Sequence, residues 1–222
     1  MRKLAGAVSF CVLTSAVLFA ADFWDTKPFP TWSDKELQQI TSDSPWARKV
    51  IPPPPERGNG GGDDRGGGGG GRGGGRGGGG RGPQQLAVIV MWRSALPMKE
   101  ALVRGQVGAN GKVSAESQAL LDRAETGYIV TAGGLPAAFQ RGGDAMKAES
   151  FLKPGNNKAP IAAEEAIVQA IGNQLMLVFA FPKTAPITLE DKEVEFVTKI
   201  SGVEIKKKFN LKDLVYKGKL EL

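Results

Sequence analysis

The 222-residue chain contains no histidine and only one cysteine, Cys11. These two absences remove whole chemistries. Without imidazole there is no Ser-His-Asp or Cys-His machinery, and little remains to ligate zinc, copper or haem. A lone cysteine forms no intrachain disulfide. Charge of one sign is also scarce. The net formal charge is +6, spread thinly, and no stretch concentrates enough of it to demand a polyanionic partner. No metal or cofactor is expected.

What is present begins with a leader. Residues 1–21 read as a secretory signal peptide. Arg2 and Lys3 form a basic start, Leu4 to Ala20 is an apolar run, and Ala20-Ala21 supplies small residues for cleavage. The rival reading is an uncleaved membrane anchor, for which the run is slightly short and carries Ser9, Thr14 and Ser15. Phe10 is too large to precede a lipidated cysteine. The expectation is an exported protein, periplasmic or extracellular, meeting a membrane only through an uncleaved leader. Cleavage would also remove the only cysteine.

Residues 22–57 form an aromatic-rich arm holding Phe23, Trp24, Phe29, Trp32 and Trp46. Ser33-Asp34-Lys35-Glu36 is a capping box that predicts a short helix to about Ile40. Ser44-Pro45 reads as an N-cap with proline at the first helical position. Pro52 to Pro55 predict polyproline II. An aromatic cluster of this size is uncommon on a soluble surface, so the arm is expected to dock on the rest of the protein. The competing reading makes Trp24, Trp32 and Trp46 a ligand or partner surface.

Residues 58–83 are nearly all glycine punctuated by arginine, and glycine loses the most backbone entropy on ordering. This composition predicts a disordered linker. Arg-Gly repeats also suggest single-stranded nucleic acid, but Asp63 and Asp64 offset half the arginine charge and no aromatic is interspersed. Nucleic acid is therefore not the expected partner.

Residues 84–222 are long enough for one hydrophobic core. Leu86 to Trp92 and Leu175 to Phe181 read as apolar buried strands. Leu96 to Arg104, a segment capped by Ser114, and a segment opening at Asp144 and closing at Pro154-Gly155 read as helices. Tyr128 to Ala132 reads as a strand ended by Gly133-Gly134. Residues 162–171 are ambiguous between helix and strand, and Gly172-Asn173 favours a hairpin. Residues 193–210 give the clearest pattern. A two-residue turn at Ser201-Gly202 pairs Ile200 with Val203. It then sets Val194 against Phe209, Lys199 against Glu204 and Glu195 against Lys208. Leu214 to Leu222 alternate as a closing strand with a bulge at Gly218. Together these predict an α+β fold: a single C-terminal domain with a mainly antiparallel sheet and two to three short helices, plus a short helical N-terminal arm.

Two blocks carry a resemblance. Trp32-Ser33-Asp34-Lys35-Glu36 running to Ser44-Pro45-Trp46, and Asp191-Lys192-Glu193-Val194-Glu195-Phe196 running to Gly218-Lys219-Leu220-Glu221-Leu222, resemble a family of uncharacterised secreted proteins from acidobacteria. The resemblance implies export and a two-part layout. It implies no activity and assigns no functional residue.

Three constellations invite a chemistry. Ser150-Phe151-Leu152-Lys153 matches a Ser-x-x-Lys nucleophile, which needs both side chains on one helical face, and Pro154-Gly155 ends any helix at once. Lys183-Thr184-Ala185 is a poor Lys-Thr-Gly element. Glu190, Asp191, Glu193 and Glu195 suggest calcium or acid/base work, but fit a turn entering a solvated strand. Lys206-Lys207-Lys208 fit a charged strand face. The expected function is thus an exported, non-catalytic binding or interaction module with an envelope or secreted protein as a possible partner. The alternatives are a histidine-free secreted hydrolase and a polyanion binder acting through the arginine tract.

Overall fold

Alternation of apolar and polar residues becomes two packed sheets. The computed structural model describes residues 22–53, 86–139 and 143–222. The proposed leader, the glycine-arginine linker and Pro54-Pro55 lie outside those residues.

The arm opens with α1 (Phe23–Thr26), a 3-10 turn at Phe29–Thr31, and α2 (Asp34–Ser42), and closes on β1 (Ala47–Val50). Then come β2 (Val88–Trp92), α3 (Leu96–Val107), α4 (Ala115–Asp122), β3 (Gly127–Pro136), α5 (Gly143–Ala148), β4 (Phe151–Pro154) and β5 (Ile161–Ala162). The remaining strands are β6 (Glu165–Ile171), β7 (Gln174–Pro182), β8 (Glu193–Ile200), β9 (Val203–Asn210), β10 (Val215–Tyr216) and β11 (Lys219–Leu220). The first sheet runs β1-β2-β3-β7-β6 and the second β5-β4-β8-β9, with every pairing antiparallel. The fold is α+β, as the sequence predicts. Among the described residues no helix is long and apolar enough to cross a membrane.

The core lies between the sheets. Trp92, Val130 and Phe179 stand side by side across β2, β3 and β7, so they share one face. That face meets the second sheet, with Phe196 5.3 Å from Phe179 and Phe209 5.7 Å from Trp92, ring to ring. The β8–β9 register is the one the charge pattern predicts, residue for residue. Lys207 does stand opposite Phe196, and β9 is the edge of its sheet, where a long side chain reaches water.

The arm belongs to this core. β1 forms an edge of the first sheet, pairing Ala47 with Met91 and Val50 with Val88. Trp32 and Trp46 are fully buried and Trp24 nearly so. The docked reading is therefore what the structure shows, and the reading of Trp24, Trp32 and Trp46 as a ligand or partner surface is corrected: none of them presents a surface. The arm is also not a separate piece, since it completes the sheet of the domain. A buried arginine clasps it. Arg104 Nε donates to the Trp32 carbonyl at 2.6 Å and its Nη2 to Asp34 at 3.0 Å.

The capping box of α2 is present. Glu36 N–H donates to Ser33 Oγ at 3.3 Å, and Ser33 N–H donates to Glu36 Oε2 at 2.8 Å. Lys27 also donates to Glu36. The bond from Lys27, then that from the Ser33 backbone, holds the Glu36 carboxyl down to about 2, from an ordinary value of 4.5. The pair's stabilisation is therefore complete above pH 4.5 and is lost as pH falls through about 2. Glu36→Gln should remove that part of the acid sensitivity. Urea midpoints of the two proteins should converge between pH 4.5 and pH 2, and parallel curves would contradict the assignment.

Several local expectations are corrected. Ser44-Pro45 opens a turn rather than a helix: Ser44 Oγ donates to Ile40 O at 2.7 Å and accepts from Ala47 N at 3.2 Å, steering the chain into β1. β3 does not end at Gly133-Gly134. It continues through a bulge in which Gly134 takes φ +88°, a value side chains resist. Residues 151–154 leave the α5 helix and pair with β8. The closing strand is instead a 3-10 turn at Leu211–Leu214 and a small β10–β11 hairpin, turned by Lys217 and Gly218 at φ 48° and 78°. Two consecutive positive φ values are what a tight hairpin demands. The ambiguous 162–171 segment contains β6, joined to β7 through Gly172-Asn173.

Candidate functional site

Each constellation singled out in the sequence has a structural role. Ser150 is fully buried, donates to Met146 O at 2.6 Å and shares a 2.8 Å hydrogen bond with Thr198. Lys153 is exposed on β4 opposite Glu195. Three residues apart on an extended chain, the two side chains leave opposite faces, so the structure does not bring them together. Asp191 is buried and caps its own turn, with Oδ2 accepting from Thr188 N at 2.8 Å and Lys158 Nζ at 2.7 Å. Burial pushes its carboxyl up, and the bonds from Lys158 and Thr188 more than offset this, leaving it below the ordinary range. Glu193 pairs with Lys208, and Lys206 with Glu204. Among the described residues no group of three or more acidic, histidine or cysteine side chains is placed to hold a metal ion.

The concave surface lies elsewhere, around α3. Pro97 opens that helix, and Ser94 ties its approach to β3 by accepting from Ile129 N at 2.9 Å. α3 packs between α2 and α4. Because α2 comes from the arm, the arm supplies one wall of the concave surface.

On one side of α3 is a groove of about 460 Å³ lined by Leu37, Met91, Met98, Leu102, Leu120 and Ile129. These come from α2, α3, α4 and the outward side of β2 and β3. On the other side is a polar cleft of about 550 Å³, bordered by Lys99, Arg123, Lys183, Lys219 and Glu221. Ser94, Lys99, Arg123 and Glu125 border both, so the two spaces are neighbours across one ion cluster. In that cluster Glu125 accepts from Lys99 at 3.4 Å and Arg123 at 3.3 Å. Lys99 also donates to the Arg123 carbonyl at 2.9 Å.

The cleft sets Lys99, Arg123, Lys183 and Lys219 against Asp122, Glu125 and Glu221, an excess of one positive side chain. With Arg93 included, the two spaces hold five cations against the carboxylates of Asp122, Glu125 and Glu221. Among the described residues Arg93, Lys183 and Lys219 have no carboxylate within ion-pair distance. Lys183 donates to the Glu125 carbonyl at 3.2 Å and lies 4.9 Å from the centre of the Tyr128 ring. Desolvation lowers its ammonium below the ordinary lysine value, and the nearby carboxylates of Glu125 and Glu221 oppose that only in part. Burial also raises the Tyr128 phenol, which accepts from Ile187 N at 2.8 Å, so it stays protonated. The cleft offers donors and positive charge. Among the described residues neither of its hydroxyls, Ser94 and Tyr128, is hydrogen-bonded to a side-chain base.

Sequence reasoning gave none of these residues a functional role except Lys183, noticed only as part of a weak Lys-Thr-Gly match. No protein-family model, curated protein or solved structure matches the chain.

Proposed function

We propose that this is an exported, non-catalytic ligand-binding module whose ligand sits in the two-part cleft around α3. The observation that carries the reading is the juxtaposition of an apolar groove with two lysines, Lys183 and Lys219, that lack carboxylate partners among the described residues, in a volume suited to a small ligand. The basic-apolar-small leader supports export. The hydrolase reading loses its main support, because Ser150 is sealed in the core away from Lys153.

The test compares wild type with Gly105→Trp, which places a large side chain at the groove wall. Both are immobilised and challenged with an extract of the source organism's envelope and medium. Wild type should retain a component that Gly105→Trp does not, and neither should turn over ester, peptide or glycoside substrates. Equal retention by both proteins, or turnover by wild type, would sink the proposal.

A further inference from the structure

Gly105 occupies the interior of α3 and borders the apolar groove. Glycine there costs about 1 kcal/mol relative to alanine. Nothing in the backbone asks for it. The position is helical, and an added Cβ would meet only Leu37 Cδ2 at 3.6 Å, an ordinary contact. What the missing side chain does is leave the groove open.

The walls limit what can lie in that groove. They are side chains of three helices and of β2 and β3, both of which have strand neighbours on each side. Among the described residues no unpaired strand edge faces it, so an extended peptide would find no backbone partners there. An occupant must be apolar along its length and need few hydrogen bonds. The adjoining cleft sets the opposite condition, because Lys183 and Lys219 stand there without carboxylate partners among the described residues. Lys183 is also partly desolvated, which an incoming anion would relieve.

Resting on the proposed binding function, we propose that the site takes a single-chain anionic amphiphile, with an acyl-type chain along the Gly105 side of α3 and a carboxylate or phosphate head at Lys183 and Lys219. Lys183 and Lys219 at the mouth and the apolar lining of the groove match the two ends of such a molecule. Leu102, 37% exposed on α3, is one apolar contact that the chain would cover.

The test is calorimetric titration of the full chain with decanoate and decyl phosphate below their micellar concentrations. Decyl glucoside, decyltrimethylammonium and acetate serve as neutral, cationic and chainless comparisons. Both anionic amphiphiles should bind, and their ratio distinguishes a carboxylate from a phosphate head. The neutral amphiphile should bind about tenfold more weakly, since a charge-assisted contact is worth that much. The cationic one should be weaker still, and acetate should not bind. Lys183→Gln with Lys219→Gln should weaken decanoate about tenfold and leave decyl glucoside unchanged. Gly105→Ala, whose methyl would narrow the groove against Leu37, should bind decanoate more weakly than wild type, and Gly105→Trp, checked for native circular dichroism, should not bind. Equal affinity for all three decyl heads, or decanoate binding insensitive to both the lysine pair and Gly105→Trp, would overturn the proposal. If decanoate fails while an extract component is still retained in a Gly105→Trp-sensitive way, the ligand class is wrong and the site stands. If both fail, the binding reading falls too.

Discussion

Trp46→Ala should destabilise the protein by about 3–5 kcal/mol, the cost of emptying a large aromatic site in a core that only partly collapses. Trp46 is fully buried although it belongs to the arm. Its ring centre lies 6.0 Å from that of Trp24 and 5.8 Å from that of Tyr216, both edge-on. Its indole N–H donates to the Glu221 carbonyl at 3.1 Å, and its own carbonyl accepts from Trp92 N at 2.8 Å. One residue therefore joins the arm, the interior strand β2 and the C-terminal segment. A loss of that size is a large share of the roughly 5–15 kcal/mol that holds a typical domain together. Urea denaturation measures it directly. A change below about 1 kcal/mol, typical of a surface position, would mean the arm lies on the domain without joining its core.

The second large effect is expected at Glu100. Its side chain is 5% exposed within α3. It accepts from the Tyr216 hydroxyl at 2.5 Å and from Lys217 Nζ at 2.7 Å, fastening the β10–β11 hairpin to the helix. Burial, followed by the bond to Glu100, pushes the Tyr216 phenol far up, so its proton stays in that bond. Glu100→Ala leaves a buried hydroxyl without an acceptor and unpairs Lys217. Removing one partner of a fully buried pair costs about 3–5 kcal/mol. Lys217 is 59% exposed and can rehydrate, which brings the expected loss to about 2–4 kcal/mol. Glu100→Gln keeps an acceptor for Tyr216 and should lose less than half as much. Equal losses for the two variants would show that the carboxylate's charge, rather than the hydroxyl's need of an acceptor, dominates.

What the sequence made legible was the part of the fold governed by local periodicity. The β8–β9 hairpin could be read because charge and apolarity alternate in both strands and because Ser201-Gly202 is a two-residue turn. The capping box at Ser33 and Glu36 was equally local. β1 was not legible. Ala47-Arg48-Lys49-Val50 has no apolar stripe of its own and becomes a strand only by pairing with β2. β4 was hidden by Pro154-Gly155, which resembles the end of a helix. β3 was cut short because a glycine pair reads as a stop when it is in fact a bulge. The candidate site was the least legible feature. Leu37, Gly105, Leu120 and Ile129 sit on four different elements, and no spacing in the chain announces that they meet. The aromatic arm drew attention for the right physical reason, the cost of exposing indoles, but its tryptophans build the core. The arm's contribution to the groove wall comes from Leu37 and Thr41.

That contribution makes the union of arm and domain the claim on which the rest depends. If α2 came and went, the groove would lose a wall and the proposed ligand its seat. Native-state hydrogen exchange tests this directly on the intact chain. Amides of α2 and β1 should exchange through the same opening, at the same free energy, as those at the centre of β3 and β7 around Val130 and Leu177. Arm amides that exchange through a separate, cheaper opening while Val130 and Leu177 stay protected would contradict the account.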